Sequence, residues 1–405
     1  MMIMAGAIEK ALFEPMNVVH YVTIIDQKDL AMIIDHCPRF VQRFFGSRTA
    51  ALSKPQQGHL WRMVLAIAIS AGGSKLVRLA ATILGGRHRT RLGGFLRDAD
   101  WDAPGVLREQ ALATLRWMRP RRGETVELLL DDTRVAKRGR RMAALQKIWD
   151  HAHQRFVRGH IWVVAAIRFR GVVLPWRLQV RVLFDAFYLC PSVTKSCENK
   201  RFSWFSVAAR NRTFTRDRGR RAKLGSLAPG WLRHEARTVR MPRARGWARM
   251  RIASADGYLA RIGPVRLVAS KRPQDPWRNM VIFATNARLD ARAIVSVYER
   301  RWDIEVMFKE LRSDLGLGDY QMLDEQAIVR HLHLCALAHL LLTRHAMERM
   351  AEQARKANEE VALPPMSIRR ESLRMTIRRD QIRRLVGGRS HRSLRQKLEP
   401  YLLAA

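Results

Sequence analysis

Apolar residues recur along this chain with two different periods, and the period changes twice. From Gln57 to Ala71 the spacing is helical, through Leu60, Trp61, Val64, Leu65 and Ile67. Gly72-Gly73 breaks that run, Ser74 is placed to cap a second helix reaching Leu84, and Gly85-Gly86 ends it. The pair, with the basic exit Arg87 to Arg91, has the outline of a helix-turn-helix. After Pro120 the pattern shortens. Val126 to Leu130 reads as a buried strand ending at Asp131-Asp132-Thr133. Ile161 to Phe169, Gly171 to Leu174, Gln179 to Phe184 and Phe202 to Ala208 read as further strands. Arg237 to Thr285 alternates in the manner of a β-rich insertion, with turns at Gly257, Gly263-Pro264 and Lys271 to Pro276. Helical spacing returns from Met322 to Met350, and Pro364-Pro365 marks a linker.

One helical stretch carries more than packing requires. Ile294, Val297, Ile304, Phe308, Leu311 and Leu315 form its apolar face. Beside them, at about 100° per residue, Tyr298, Arg301, Glu305 and Arg312 fall in one narrow stripe. Alone, an Arg-x3-Glu spacing is a surface ion pair of little worth.

Charge narrows the partners. Lys and Arg number 74 against 36 Asp and Glu, a formal net charge of +38 over 405 residues. Such a chain suits a polyanion, because cations that neutralise phosphates release counterions. The charge runs the whole length, which favours nucleic acid over a membrane surface. The four cysteines (Cys37, Cys190, Cys197 and Cys335) form no disulfide framework and no zinc pair. Met1 to Lys10 lacks a signal-peptide pattern, and Leu332 to Leu342 is too short to span a bilayer, so a cytoplasmic protein is expected.

The stripe resembles the signature of a large group of bacterial insertion-sequence transposases with a DDE catalytic domain, Tyr-x2-Arg-x3-Glu-x6-Lys. Here it reads Tyr298, Arg301, Glu305, with Arg312 in the place of Lys. Arg301-Trp302, Phe308-Lys309, Leu315 to Leu317 and Tyr320-Gln321 fit the flanks. The resemblance implies an α/β ribonuclease H-like core with a β-rich insertion, flanked by helical regions. It implies a helical DNA-binding region over 1–120, a catalytic domain over 121–320 with the insertion at about 213–290, and a helical, Arg-rich region over 321–405. It implies cut-and-paste transposition of double-stranded DNA, a homodimer on that DNA, recognition of terminal inverted repeats, and nucleoid association when bound. Two relatives of that reading stay open: a relic that only binds DNA, and a metal-dependent nuclease.

In that family three carboxylates hold Mg2+ or Mn2+, two ions in all. In-line displacement at a phosphodiester uses a metal pair about 3.5–4 Å apart. The matching residues are Asp131, Asp185 and Glu305. Asp131 fits the family's Asp-x-Thr, through Thr133; Asp132 would face the other way if the strand continues. A plain turn would explain Asp131 as well, and a helix N-cap would explain Asp185. Asp256 is the alternative second carboxylate, but Asp256-Gly257 reads better as a hairpin turn. Tyr298, Arg301 and Arg312 are expected on the DNA backbone. Trp302 is expected either to stack on an unpaired base or to anchor the core. His151, His153 and His160 read as loop or phosphate-contacting residues, and the Arg pairs 369–370, 378–379 and 383–384 as a solvated or phosphate-contacting face.

One gap stands out. A crossover between parallel strands needs about a dozen residues. Between the strand ending near Trp176 and the one starting at Gln179, only Pro175 to Leu178 remain. The sequence therefore predicts no helix between residues 170 and 184, and an internal deletion near 175–179 that weakens activity. The alternative places a helix at His151 to Val157.

Overall fold

The computed structural model describes residues 36–49, 52–70, 74–83, 89–139, 141–150, 154–175, 181–199, 202–216, 219, 221–243, 246–354 and 363–387. Helices open it: α1 (Arg39–Phe45), α2 (Lys54–Ile69), α3 (Leu76–Thr82), α4 (Arg89–Arg97) and α5 (Ala103–Trp117). Ser53 and Gln56 close a capping box on α2. Ser74 does not cap α3, whose N-cap is Lys75. Its hydroxyl instead donates to the Gly316 carbonyl at 2.7 Å and lies 3.1 Å from His331 Nε2. Gly72-Gly73, Gly85-Gly86, Arg87 and His88 lie outside the described residues.

The strands follow: β1 (Glu127–Ala136), β2 (Gln146–Asp150), β3 (Arg155–Phe169), β4 (Val172–Pro175), β5 (Arg181–Phe184), β6 (Ser203–Val207), β7 (Thr213–Thr215), β8 (Ala222–Lys223), β9 (Arg237–Arg243), β10 (Gly246–Leu259), β11 (Gly263–Lys271) and β12 (Val281–Thr285). Helix α6 (Pro191–Asn199) connects β5 to β6, and α7 (Leu224–His234) precedes β9. All join one mixed sheet, ordered β2-β3-β1-β5-β6-β12-β11-β10-β7-β8, with β4 beside β3 and β9 beside β10. Strand β1 is antiparallel to β3 and parallel to β5, and β5 is parallel to β6. The β-rich stretch therefore continues the sheet edge to edge through the β6–β12 pair.

Alternation sends neighbouring residues to two cores. Leu129, Leu183, Phe205, Val268 and Phe283 join the helices on one face. Phe184, Trp204, Leu267, Ile282 and Ala284 pack on the other, with Leu224, Ala228 and Trp231 of α7. The first core also contains Leu65 of α2, Leu115 of α5, and Leu337 and Leu341 of the long helix α10 (Glu325–Ala354). Helix α11 (Met366–Gly387) adds Met366, Leu373 and Ile377.

Several expectations need correction. Asp256 lies within β10, paired in register with Arg266 of β11, and the turn comes after Leu259. Arg266 donates to both Asp256 oxygens, at 2.7 and 2.6 Å, so the carboxylate belongs to a cross-strand pair. Gly257 is required there because a Cβ would meet the Thr215 carbonyl and the Phe214 ring. Residues 155–157 are strand, not helix, while His151 and His153 lie outside the described residues. His160 is buried, 2.7 Å from the Tyr320 hydroxyl and 2.8 Å from the Ala143 carbonyl, so it contacts no surface phosphate. Arg369 and Arg370 are also buried: Arg369 pairs with Glu310, and Arg370 donates to the Ala68 and Asp314 carbonyls. They tie helices together. In the crossover interval, 170–175 and 181–184 carry no helix; 176–180 lie outside the described residues.

Candidate active site

Strand β1 does not stop at Asp131; it runs on to Ala136, so no turn accounts for this residue. Alternation then separates the two neighbouring carboxylates. Asp131, 8% exposed, faces the helices with Leu129 and Thr133. Asp132 faces away, 3.5 Å from Arg134. In the parallel β1–β5 ladder Leu128 pairs with Val182 and Leu130 with Phe184. The next residue on each strand is Asp131 and Asp185. Adjacent strands run about 4.8 Å apart, and residues in register share a face. Asp185 also accepts from the Phe187 amide at 2.7 Å, capping a short 3-10 turn. The local capping role is thus realised at the same position.

The helix bearing Glu305 is not continuous. Helix α8 (Ala291–Glu299) ends, and α9 (Trp302–Lys309) begins after a tightened turn in which Arg301 N bonds Tyr298 O and Ile304 N bonds Arg301 O. A π-turn, Glu310–Asp314, follows α9. One turn is overwound and the other underwound, on either side of Glu305. The single stripe expected from a uniform helix does not survive: Tyr298 and Arg301 are buried, Glu305 is half-buried and Arg312 is exposed. Trp302 is 58% exposed, so it is no core anchor. Tyr298 packs against Phe283, ring centroids 5.2 Å apart.

Arg301 reaches from this turn to two carboxylates. One guanidinium nitrogen donates to Asp131, and the other to Glu305 Oε1 at 2.8 Å. Its Nε is buried with no hydrogen-bond partner. Burial pushes the Asp131 carboxyl up, and Arg301 pulls it part of the way back. Burial works against the Arg301 charge, but Tyr298, Asp131 and Glu305 outweigh it. The Tyr298 phenol is pushed up to about 12, first by burial; Arg301 opposes and Asp185 and Asp131 add to the rise. Tyr188, also at about 12, is raised by burial and then by Asp132, Asp131 and Asp185. These mutual fields place Asp131, Asp185, Tyr188, Tyr298, Arg301 and Glu305 in one neighbourhood.

A second network anchors the turn. Glu127, at the start of β1 and 2% exposed, accepts from Arg168 of β3 at 3.2 Å and from Arg300 at 2.7 Å. Arg168 also donates to Asp303 of α9 at 2.5 Å. The sequence showed Glu127 only as a polar residue inside the apolar run Val126 to Leu130. Lys137, just past the end of β1, reaches the Gly318 and Tyr320 carbonyls at 2.5 and 2.8 Å and covers the Tyr320 ring. Burial lowers its pKa to about 8.

Three carboxylates supply the oxygen donors that a hard divalent ion takes. Yet among the described residues no three His, Cys, Asp or Glu side chains stand close enough together to hold an ion. At Asp131 and Glu305 a guanidinium takes the intervening place. Residues 151–341 match the family model described as Transposase DDE domain. The matched span holds Asp185 and Glu305, and Asp131 lies upstream of it. Over that span the chain is similar to the DDE transposase family, a family that generally uses divalent metal ions. No curated protein matches the chain. No helix among the described residues is long and apolar enough to cross a membrane.

Proposed function

We propose that the chain is the transposase of an insertion sequence, of the group with the Tyr-x2-Arg-x3-Glu-x6-Lys signature. It would bind the element's terminal inverted repeats, cut at the element ends and join the freed ends to target DNA, as a homodimer in the nucleoid. Asp131, Asp185 and Glu305 are its metal-binding carboxylates. They would hold Mg2+ or Mn2+, two ions, whose charge supports the attacking and leaving oxygens of the phosphodiester. The strand order β4-β3-β1-β5-β6, with β1, β5 and β6 parallel, supports a ribonuclease H-like core. The observation that carries the reading is the juxtaposition of Asp131, within β1, and Asp185, just past the end of the parallel strand β5, with Glu305 joined to Asp131 through Arg301. Exposed Trp302 and Arg312 are assigned to DNA.

The short passage from β4 to β5 favours one second reading, a relic that binds DNA without turnover. Only residues 176–180 separate the two strands. Incubating the purified chain with linear DNA bearing the element's ends and Mg2+ separates the two. Cleavage that Asp131→Asn, Asp185→Asn and Glu305→Gln each abolish, with DNA binding kept, supports the transposase. Binding without cleavage supports the relic. Cleavage that survives Glu305→Gln would defeat the assignment of the site.

A further inference from the structure

Arg301 stands where a cation is required, and it is itself a cation. Its two terminal nitrogens go to Asp131 and Glu305. Asp131 and Arg301 are both largely buried, which makes such a pair expensive to leave half-made. But the pairing is incomplete. One positive charge serves two carboxylates, with Asp185 nearby, and the buried Nε has no hydrogen-bond partner. From this same position its Cζ lies 5.6 Å from the ring of Trp302, whose side chain is open to solvent, and 5.7 Å from that of buried Tyr298. An arginine over an aromatic face keeps a favourable contact. Arg301 sits in the tightened turn before α9, and a π-turn follows α9, the two departures from regular helix nearest Glu305.

We propose that Arg301 is an internal counter-ion that closes the carboxylate site, and that a divalent ion enters only as Arg301 leaves Asp131 and Glu305 for the Trp302 side. This rests on the assignment of Asp131, Asp185 and Glu305 as metal-binding residues. The closed arrangement keeps the carboxylates compensated without an ion and lowers the apparent affinity for one by the fraction of molecules that are open. Binding and displacement are thermodynamically linked, so the ion and the Trp302 seat favour the same state.

The test is Mn2+ binding to the full chain without DNA, followed by electron paramagnetic resonance of the free ion. Wild type, Arg301→Gln, Arg301→Lys and Asp131→Asn are compared. Arg301→Gln is expected to bind Mn2+ about tenfold tighter or more, because no closed state competes. Arg301→Lys, with one compact charge in place of a fork, is expected between the two. Thermal unfolding gives an independent readout. Arg301→Gln should be less stable than wild type without Mn2+ and should gain more from its addition. Equal or weaker Mn2+ binding by both Arg301 variants, with Asp131→Asn still abolishing it, would overturn the counter-ion role and leave the carboxylate site standing. Binding that Asp131→Asn does not change would overturn the site and the counter-ion together. If Arg301→Gln does not fold without metal, Arg301→Lys decides, and affinity equal to wild type overturns the proposal.

Discussion

Replacing Glu127 by Ala should be among the most costly single changes in this fold. The residue lies outside the proposed catalytic set. Its carboxylate is 2% exposed and takes two arginines, Arg168 at 3.2 Å and Arg300 at 2.7 Å. Arg168 is itself 10% exposed, and with Glu127 gone it keeps Asp303 at 2.5 Å, whose side chain is 37% exposed. Removing one partner of a buried pair costs roughly 3–5 kcal/mol, and the surviving Asp303 contact points to the lower end, about 3 kcal/mol. Arg300 is 39% exposed, so Arg300→Ala should cost no more than about 1 kcal/mol. Glu127→Gln keeps an acceptor but not the charge and should fall between. Urea unfolding followed by tryptophan fluorescence measures all three. Against a total of about 5–15 kcal/mol, the Ala variant should show a clearly lower midpoint. If Glu127→Ala and Arg300→Ala cost the same, the reasoning that burial of Arg168 sets the penalty is wrong.

Three further outcomes are expected. Asp256→Asn should leave cleavage intact and cost at most about 1 kcal/mol, since its partner pair is largely exposed; loss of cleavage would restore it as a catalytic candidate. His331 and His345 are both held down to about 4 by burial. Between pH 4 and 6.5 the unfolded chain binds more protons than the fold, so stability should climb with pH across that window and be lost as pH falls through it; a flat unfolding midpoint would contradict their burial as neutral rings. Gly257→Ala should destabilise by roughly 1–3 kcal/mol through overpacking, read as a lowered thermal midpoint, and an unchanged midpoint would remove the close approach of β7.

Local patterns gave β4 and β6 nearly as they stand and the apolar halves of β1 and β3, because these stretches bury branched or aromatic residues in short runs; the polar continuation of β1 to Ala136 and the start of β3 at Arg155 were missed. Alternation also separated Asp131 from Asp132 once the strand was known to continue. Strand β2 was not legible: of Gln146 to Asp150, Ile148 is the apolar residue it buries deeply. The Asp256-Gly257 pair misled because turn chemistry and a close strand approach select the same glycine. What lay beyond reach was any partner far along the chain. Arg301 meets Asp131 across 170 positions, and Arg168 meets Glu127 across 41. A signature read as DNA contact cannot show that its arginine is already engaged. The Arg369-Arg370 pair misled for the same reason, since a charge run looks alike whether it meets water or a half-buried glutamate.

The C-terminal arginines carry a consequence for how the chain is made. Helix α2 ends at Ile69, and its last carbonyls, Ala68 and Ile69, accept from Arg370 and Arg374 of α11. Those bonds span 302 and 305 positions. At synthesis rates of about 5–20 residues per second, the partners emerge roughly 15–60 s after the helix they complete. During that interval the apolar face of α2 has neither α10 nor α11 to lie against. The end of α2 therefore waits for its partners until α11 is made, and a chain cut before Arg374 lacks the donor for the Ile69 carbonyl.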